Sequence, residues 1–503
     1  MTASPRQPNV LLITTDQQRY DALSVNNPLV QTPNLNRLAG MGTTFCHGYV
    51  QNPVCIPSRA CIQTGRYVHQ HGVDHMVEAI GDTPGLPPWE TTFMERLQQA
   101  DYATAAFGKI HMLPPKGLDE LGLTMGKGAR WTVAEGSPLG PSQLGPVYGE
   151  WLERKHPGAT EALYAQRRQE EYRGQATAIV NVLPADEYVD YWIAEQTWDY
   201  LERSHERPFF AWCGFCGPHP PYDPPESYAS RYRPNDVPLP RLLHARQQGV
   251  DGGDRPSRFD RPDGEALIRK ITAYYWAMTT FIDDMVGRIM ETLTRRGLWD
   301  NTLVIFTSDH GDMLGDFGKL GKENFTEPVV RVPYLLVPPG SVPSNGGAPE
   351  QRHYDGLVEH MDLAPTMLDY AGIPQPPSLP GVSLRPILEA VDLTDPALGG
   401  KEAILCEYVP KHQRWRSMCL RTDRYKYVFS GAGRPVEFYD LQADPNELTN
   451  VASDPAYRQE VVRHAELLLD RLVQTQQTAW SGDPAMRTAS HNAPKVDAFG
   501  QRL

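Results

Sequence analysis

Short runs of apolar residues, each closed by a polar or glycine-rich cluster, mark most of the chain before residue 375. Residues 9–14 (NVLLIT) form a continuous apolar run of the kind seen when both faces of a parallel strand are covered. Similar runs recur at 103–107, 208–213 (PFFAWC), 302–307 (TLVIFT) and 332–337. Between them, apolar positions take helical spacing over 91–100, 265–296 and 361–370. Strands alternating with helices predict an α/β domain with a large, mostly parallel sheet flanked by helices. Asp16 and Gln17 follow the first run, Lys109 and His111 the second, His219 the third, and Ser308, Asp309, His310, Gly311 and Asp312 the fourth. These clusters fall past the carboxyl ends of the strands, where open α/β sheets hold their ligands.

The pattern changes after about residue 375, where Pro374, Pro376, Pro377 and Pro380 make a linker-like stretch. Beyond it, 403–409, 418–429 and 437–441 read as strands separated by turns, followed by a helix at 455–478 and a polar tail. The expected division is a catalytic α/β domain over 1–375 and a smaller C-terminal α+β domain over 376–503 with an antiparallel sheet. Residues 112–200 carry few strand signals and are expected to form an insertion near the site. Trp131, Tyr148 and Trp151 there, with Tyr222 and the C-terminal tail, are candidates for a lid.

With 503 residues the chain can bury a large core, and 40% hydrophobic with 22% charged residues is an ordinary globular composition. The formal net charge of −13 argues against nucleic acid or an anionic membrane as partner. An anionic substrate would therefore need local cations or a metal. No apolar segment approaches the roughly 20 residues of a membrane helix, and residues 1–9 are polar, so the expected compartment is cytoplasmic. Seven cysteines in so long a chain are no disulfide framework, and Cys213 and Cys216 are expected to be buried small side chains.

Cys55, Ile56, Pro57, Ser58 and Arg59, followed by Thr64, Gly65 and Arg66, form the most specific signal. Prolines 53 and 57 keep the lead-in out of regular helix, and a helix is expected from Ser58 with Arg59 in its first turn. A thiol beside a guanidinium at a helix N-terminus suits anion binding and nucleophile activation. C-x-P-S-R followed by T-G-R resembles the maturation signature of the type I sulfatases, in the alkaline-phosphatase-like superfamily. The resemblance extends in order through Asp16, Lys109 and His111, Pro218 and His219, the 308–312 cluster and Lys322. It reaches Arg421, Arg424, Tyr425, Lys426 and Tyr439 in the C-terminal region, covering roughly 9–445.

That resemblance implies that Cys55 is oxidised to formylglycine by a formylglycine-generating maturation enzyme. It also implies one divalent cation held by Asp16, Gln17, Asp309, His310 and residue 55. Two carboxylates, an amide oxygen and an imidazole suit Ca²⁺ or Mn²⁺, with Mg²⁺ a further candidate. Many sulfatases carry Asp where Gln17 stands and Asn where His310 stands. This chain departs toward the phosphonate monoester hydrolase and promiscuous arylsulfatase branch, and the added nitrogen shifts the balance toward Mn²⁺ or Mg²⁺. Lys109 and His111, which that branch tends to lack, point back to sulfate.

By the same resemblance, the hydrated aldehyde attacks sulfur while Arg59, Lys109, Lys322 and the cation bind the sulfate oxygens. His219, with Lys322, protonates the leaving alcohol, and His111 serves the release of sulfate. Three readings follow: a sulfatase acting on a small sulfate ester, a phosphonate monoester or phosphodiester hydrolase using the same site, and a non-catalytic binding protein of this fold. The alcohol half of the substrate and the oligomeric state are left open. Asp312 and Asp316 read as structural, Glu323 and Asn324 as candidate supports, and His69, His71 and His75 as close enough in sequence to line the pocket.

Overall fold

A computed structural model describes residues 7–74, 86–87, 89–111, 115–124, 146–245, 257, 259–341, 351–410, 415–431 and 436–481. Among these residues, eight strands form one sheet: β1 (Asn9–Asp16), β2 (Thr43–Tyr49), β3 (Ala103–Gly108), β4 (Glu120–Leu123), β5 (Phe209–Pro218), β6 (Thr302–Ser308), β7 (Tyr334–Val337) and β8 (Arg352–Glu359). Their order is β4-β3-β5-β1-β6-β7-β2-β8. Only β7 runs antiparallel to its neighbours β6 and β2.

β1 lies between β5 and β6, and all eight of its residues are buried. Leu11 and Ile13 face one core, shared with the helices Val189–Glu202 and Gly264–Arg295. Val10 and Leu12 face the other, shared with Phe93–Gln99 and Leu363–Tyr370. A slip of one residue would exchange the two sets, so alternation pins the register that places Asp16 beside β6.

Residues 112–200 supply the edge strand β4 and the Val189–Glu202 helix, which packs on the sheet through Val189, Trp192 and Ile193. Tyr148 is buried, stacks with Trp151 and tilts against Trp192, so these aromatics pack a core. Trp131 lies outside the described residues. Cys213 and Cys216 are buried in the helix-side core and form no disulfide among the described residues.

The C-terminal sheet contains β9 (Ile404–Tyr408), β10 (Ser417–Arg421), β11 (Tyr425–Ser430) and β12 (Glu437–Asp440) in the order β12-β11-β10-β9, all antiparallel. Leu468 of the Arg458–Ser481 helix packs with Leu420, Tyr427 and Phe438 on one face. On the other face, Ile404, Cys406, Cys419 and Val428 pack with Tyr49, Val50, Val330 and Leu357. Leu379, Leu384, Ile387 and Leu388, beyond the start of the proline-rich stretch, still pack under the large sheet. A buried ion cluster ties the two sheets: Lys426 Nζ lies 2.8 Å from Glu327 and 2.6 Å from Glu447, and donates to the Phe325 carbonyl at 2.7 Å. No helix among the described residues is long and apolar enough to cross a membrane.

Candidate metal centre and active site

The carboxyl ends of β1, β3, β5 and β6 and the start of the Cys55–Thr64 helix converge on one buried cluster. The helix begins at Cys55, three residues earlier than the proline pattern predicts, with Val54 extended at its N-cap. Pro57 sits in the first turn, where a missing N–H removes no helical bond, and the Ser58 N–H donates to the Val54 carbonyl at 3.0 Å. Gly108 (φ 89°) turns the chain out of β3, and a Cβ there would strike the Gly214 carbonyl oxygen. That close approach lets the Lys109 N–H donate to the same carbonyl at 2.7 Å.

Arg59 is fully buried and organises the centre. Its Nε donates to Asp309 Oδ2 at 2.8 Å, and its Nη2 reaches Asp16 Oδ2 at 3.3 Å and the Thr15 carbonyl at 3.4 Å. Its Nη1 donates to the Lys109 carbonyl. All three nitrogens are thereby engaged with protein oxygens, so Arg59, expected on the sulfate oxygens, holds the two carboxylates here. Lys109 Nζ lies 2.6 Å from Asp16 Oδ2. Burial would raise the Asp16 carboxyl, but Lys109, His219, Lys322 and Arg59 outweigh it and hold the group well below the usual carboxylate range.

The His310 Nδ1 lies 2.9 Å from the Gly311 carbonyl, which can only accept, so Nδ1 carries the hydrogen. The other ring nitrogen, Nε2, then points inward, 3.3 Å from Cys55 Sγ and 3.6 Å from Asp309 Oδ1. Lys322 Nζ stands 2.9 Å from that nitrogen and 2.7 Å from Cys55 Sγ. Burial and then Asp16 push the Cys55 thiol up; Lys322, Lys109 and His310 overcome them and bring it below an ordinary thiol.

Asp16, Cys55, Asp309 and His310 each offer a ligand atom, all four residues are buried, and the four atoms lie within 4.8 Å of one another. Two carboxylates, a sulfur and an imidazole nitrogen converging at that spacing fit a single divalent cation. Gln17 (φ 70°) is pinned beside them: its N–H donates to Asp309 Oδ1 at 3.0 Å, and its side-chain nitrogen donates to Asp312.

His219 directs Nδ1 to the Pro220 carbonyl at 2.6 Å, leaving Nε2 for a proton. His111 sits at φ 58°, and its buried Nδ1 has no hydrogen-bond partner among the described residues. Burial, reinforced by Lys109 and other nearby cations, moves both imidazoles well below their ordinary range. The ten expected site residues are thus drawn from six separate stretches toward one end of the sheet.

Several neighbours do other work. Asp316 pairs with Arg19 at 2.8 Å, Asn324 accepts from the Thr326 N–H at 3.0 Å, and Glu323 is exposed. Tyr222, a lid candidate, is buried and donates to Asp312 at 3.0 Å. His69 turns away from the centre, with Nδ1 2.9 Å from Glu407 and Nε2 2.8 Å from Thr475. His75 lies outside the described residues.

His71 accepts from the Val73 N–H at 3.0 Å, and burial pushes it from 6.5 down to about 3. An unfolded chain takes up that proton near pH 6.5, the folded one only near 3, so this group destabilises the fold as pH falls. Its share approaches about 1.4 kcal/mol per pH unit below 6.5. His71→Gln should therefore flatten the pH dependence of the urea midpoint between pH 6 and 4.5, and an unchanged slope would exclude this residue as the source.

Three supports escaped sequence reading. The Ser58 hydroxyl donates to the Asp309 carbonyl at 2.6 Å, and Ser308 Oγ accepts from the Gln18 N–H at 2.9 Å. Tyr275, on the long helix, donates to the Gln17 carbonyl at 2.7 Å and accepts from the Arg19 N–H at 2.8 Å. A tyrosine on the buried stripe of an amphipathic helix carries no local signal of such a role.

A sulfatase family model matches residues 8–373, and one for the C-terminal part of N-sulphoglucosamine sulphohydrolase matches 315–477. An arylsulfatase of Clostridium perfringens is 29% identical over 477 residues, covering 93% of this chain and 94% of that protein. The multifunctional alkaline phosphatase superfamily protein PehA of Trinickia caryophylli is also 29% identical, over 96% of this chain and 97% of its own. The crystal structure of phosphonate monoester hydrolase of Agrobacterium radiobacter superimposes with a TM-score of 0.74 at 25% identity, covering 98% of this chain and 99% of that one.

Proposed function

Since the chain belongs to the sulfatase family of the alkaline-phosphatase-like superfamily, we propose that it hydrolyses small sulfate esters with residue 55 in its formylglycine form. The observation that carries this reading is the convergence of Asp16, Cys55, Asp309 and His310 within 4.8 Å. Cys55 Sγ stands in for the oxygens that residue would carry after oxidation by a formylglycine-generating partner. Asp16, Gln17, Asp309 and His310 would hold a divalent cation, Mn²⁺ or Mg²⁺ before Ca²⁺ on this donor set. Together, the cation and the hydrated aldehyde supply an electrophilic charge and an oxygen nucleophile of lowered pKa.

The chain's own groups account for the rest. Arg59 pairs with both Asp16 and Asp309 and keeps them aimed inward. Lys109 and Lys322 present ammonium groups to the sulfate oxygens, a preorganised charge that needs no rearrangement during reaction. His219, anchored through Nδ1, offers Nε2 as proton carrier to the leaving alcohol. His111 is held neutral by burial and nearby cations, which suits a base acting after the ester bond breaks.

A second reading, phosphonate monoester or phosphodiester hydrolysis, is favoured by Gln17 and His310 in the ligand set and by the likeness to the Agrobacterium radiobacter enzyme. Side-by-side turnover of 4-nitrophenyl sulfate and phenyl phosphonate esters by matured enzyme separates the two. The sulfate should have the higher kcat/KM by about tenfold or more. The reverse ranking would make the phosphonate reading the right one. Peptide mass at position 55 should show the aldehyde, and active enzyme carrying only thiol would overturn the nucleophile.

A further inference from the structure

Asp312 is buried and uses both carboxylate oxygens. Oδ1 accepts from the Leu314 N–H at 2.6 Å and the Gly321 N–H at 2.9 Å. Oδ2 accepts from the Tyr222 hydroxyl at 3.0 Å and from the side-chain nitrogen of Gln17. The Gln17 side-chain nitrogen is the atom that meets Oδ2, so the face of the amide turned to the carboxylate is its NH₂ group. The backbone of Gln17 is already fixed by Asp309 and Tyr275. Its amide oxygen is the atom that the contact with Asp312 leaves available.

We propose that Asp312 is a positioning residue that sets the Gln17 amide with its oxygen, and not its nitrogen, toward the cation. The proposal rests on the reading of this cluster as a cation centre. An amide nitrogen has no lone pair to give a metal, whereas an amide oxygen is a good hard ligand. The same carboxylate also fixes the turn before Lys322, through Gly321, and the segment after His219, through Tyr222. Orientation of one ligand and placement of two substrate-facing groups therefore share a single anchor.

Asp312→Asn tests the orientation. Asn can keep the Leu314 and Gly321 bonds with its oxygen, which turns its NH₂ toward Gln17. Two NH₂ groups then oppose each other, and Gln17 relieves the conflict by flipping its amide nitrogen toward the cation. The double variant Gln17→Glu, Asp312→Asn exchanges donor for acceptor at unchanged total charge. It restores the hydrogen bond and returns an oxygen to the cation. Matured enzyme and both variants are stripped of metal and titrated with Mn²⁺, following free Mn²⁺ by electron paramagnetic resonance.

The single variant should bind Mn²⁺ about 10- to 100-fold more weakly, the range for loss of an orienting partner. The double variant should return to within about threefold of wild type, or bind more tightly. Thermal midpoints of the stripped proteins report the fold separately, and if the single variant does not fold, the double variant alone decides. Wild-type affinity in Asp312→Asn, or a folded double variant that fails to recover, overturns the orienting role and leaves the cation centre standing. A wild-type enzyme that binds no Mn²⁺ at this cluster removes both.

Discussion

Cys55→Ser is expected to abolish sustained turnover, by about 10³-fold or more, while leaving the fold and the other cation ligands in place. The side chains are nearly isosteric, and the pairings that hold the rest of the site do not run through residue 55. Asp16 stays paired with Lys109 at 2.6 Å, Asp309 with Arg59 at 2.8 Å, and His310 keeps its bond to Gly311. What differs is the number of oxygens on one carbon. A hydrated aldehyde has two hydroxyls and a serine has one. A serine sulfated by its substrate has no neighbouring hydroxyl through which to expel sulfate. The variant should therefore release at most one equivalent of alcohol per enzyme and then stop, with sulfate attached at residue 55. Burst amplitude and peptide mass read the two halves of this outcome. Multiple turnovers at a near wild-type rate would remove the aldehyde from the proposal and leave a different nucleophile to be found.

The contrast between what the chain announced and what it concealed has a physical basis. β1, β5 and β6 stand out as continuous apolar runs because they are buried on both faces in the middle of the sheet. β2 (TTFCHGY) and β8 (RHYDGLVE) lie at one side of it, mix polar with apolar positions and give no comparable run. β4 is an edge strand of four residues, too short to show a period. In the site, Asp16, Gln17, Lys109, His111, His219, Asp309 and His310 stood out because they follow strands, and Cys55 and Arg59 because of the C-x-P-S-R signature. The contacts that aim them did not. The Arg59–Asp309 pair spans 250 residues and the Tyr275–Gln17 bond 258, and no local window registers such pairings. The start of the helix at Cys55 was also hidden, because it depends on the first turn tolerating Pro57.

Arg59→Lys should cost about 10²–10³-fold in kcat/KM at saturating Mn²⁺, although the charge is kept. The guanidinium is a planar fork, and here it spans Asp309, Asp16, the Thr15 carbonyl and the Lys109 carbonyl from one buried position. A single ammonium on a flexible stem cannot reach that set together. Whichever carboxylate it abandons is a buried anion with one cation fewer, and breaking such a pair costs about 3–5 kcal/mol. Asp309 is the more vulnerable to this loss: its Oδ2 depends on Arg59 Nε, and among the described residues its Oδ1 meets only the Gln17 N–H and, at 3.6 Å, His310. Asp16 retains Lys109 at 2.6 Å. The damage should therefore appear in Mn²⁺ affinity and in the urea midpoint as well as in rate, because one carboxylate serves all three. A variant with wild-type Mn²⁺ affinity and a reduced rate would mean that Arg59 acts on the substrate and not through Asp309. Near wild-type values of all three would reduce it to a counter-charge, for which any cation suffices.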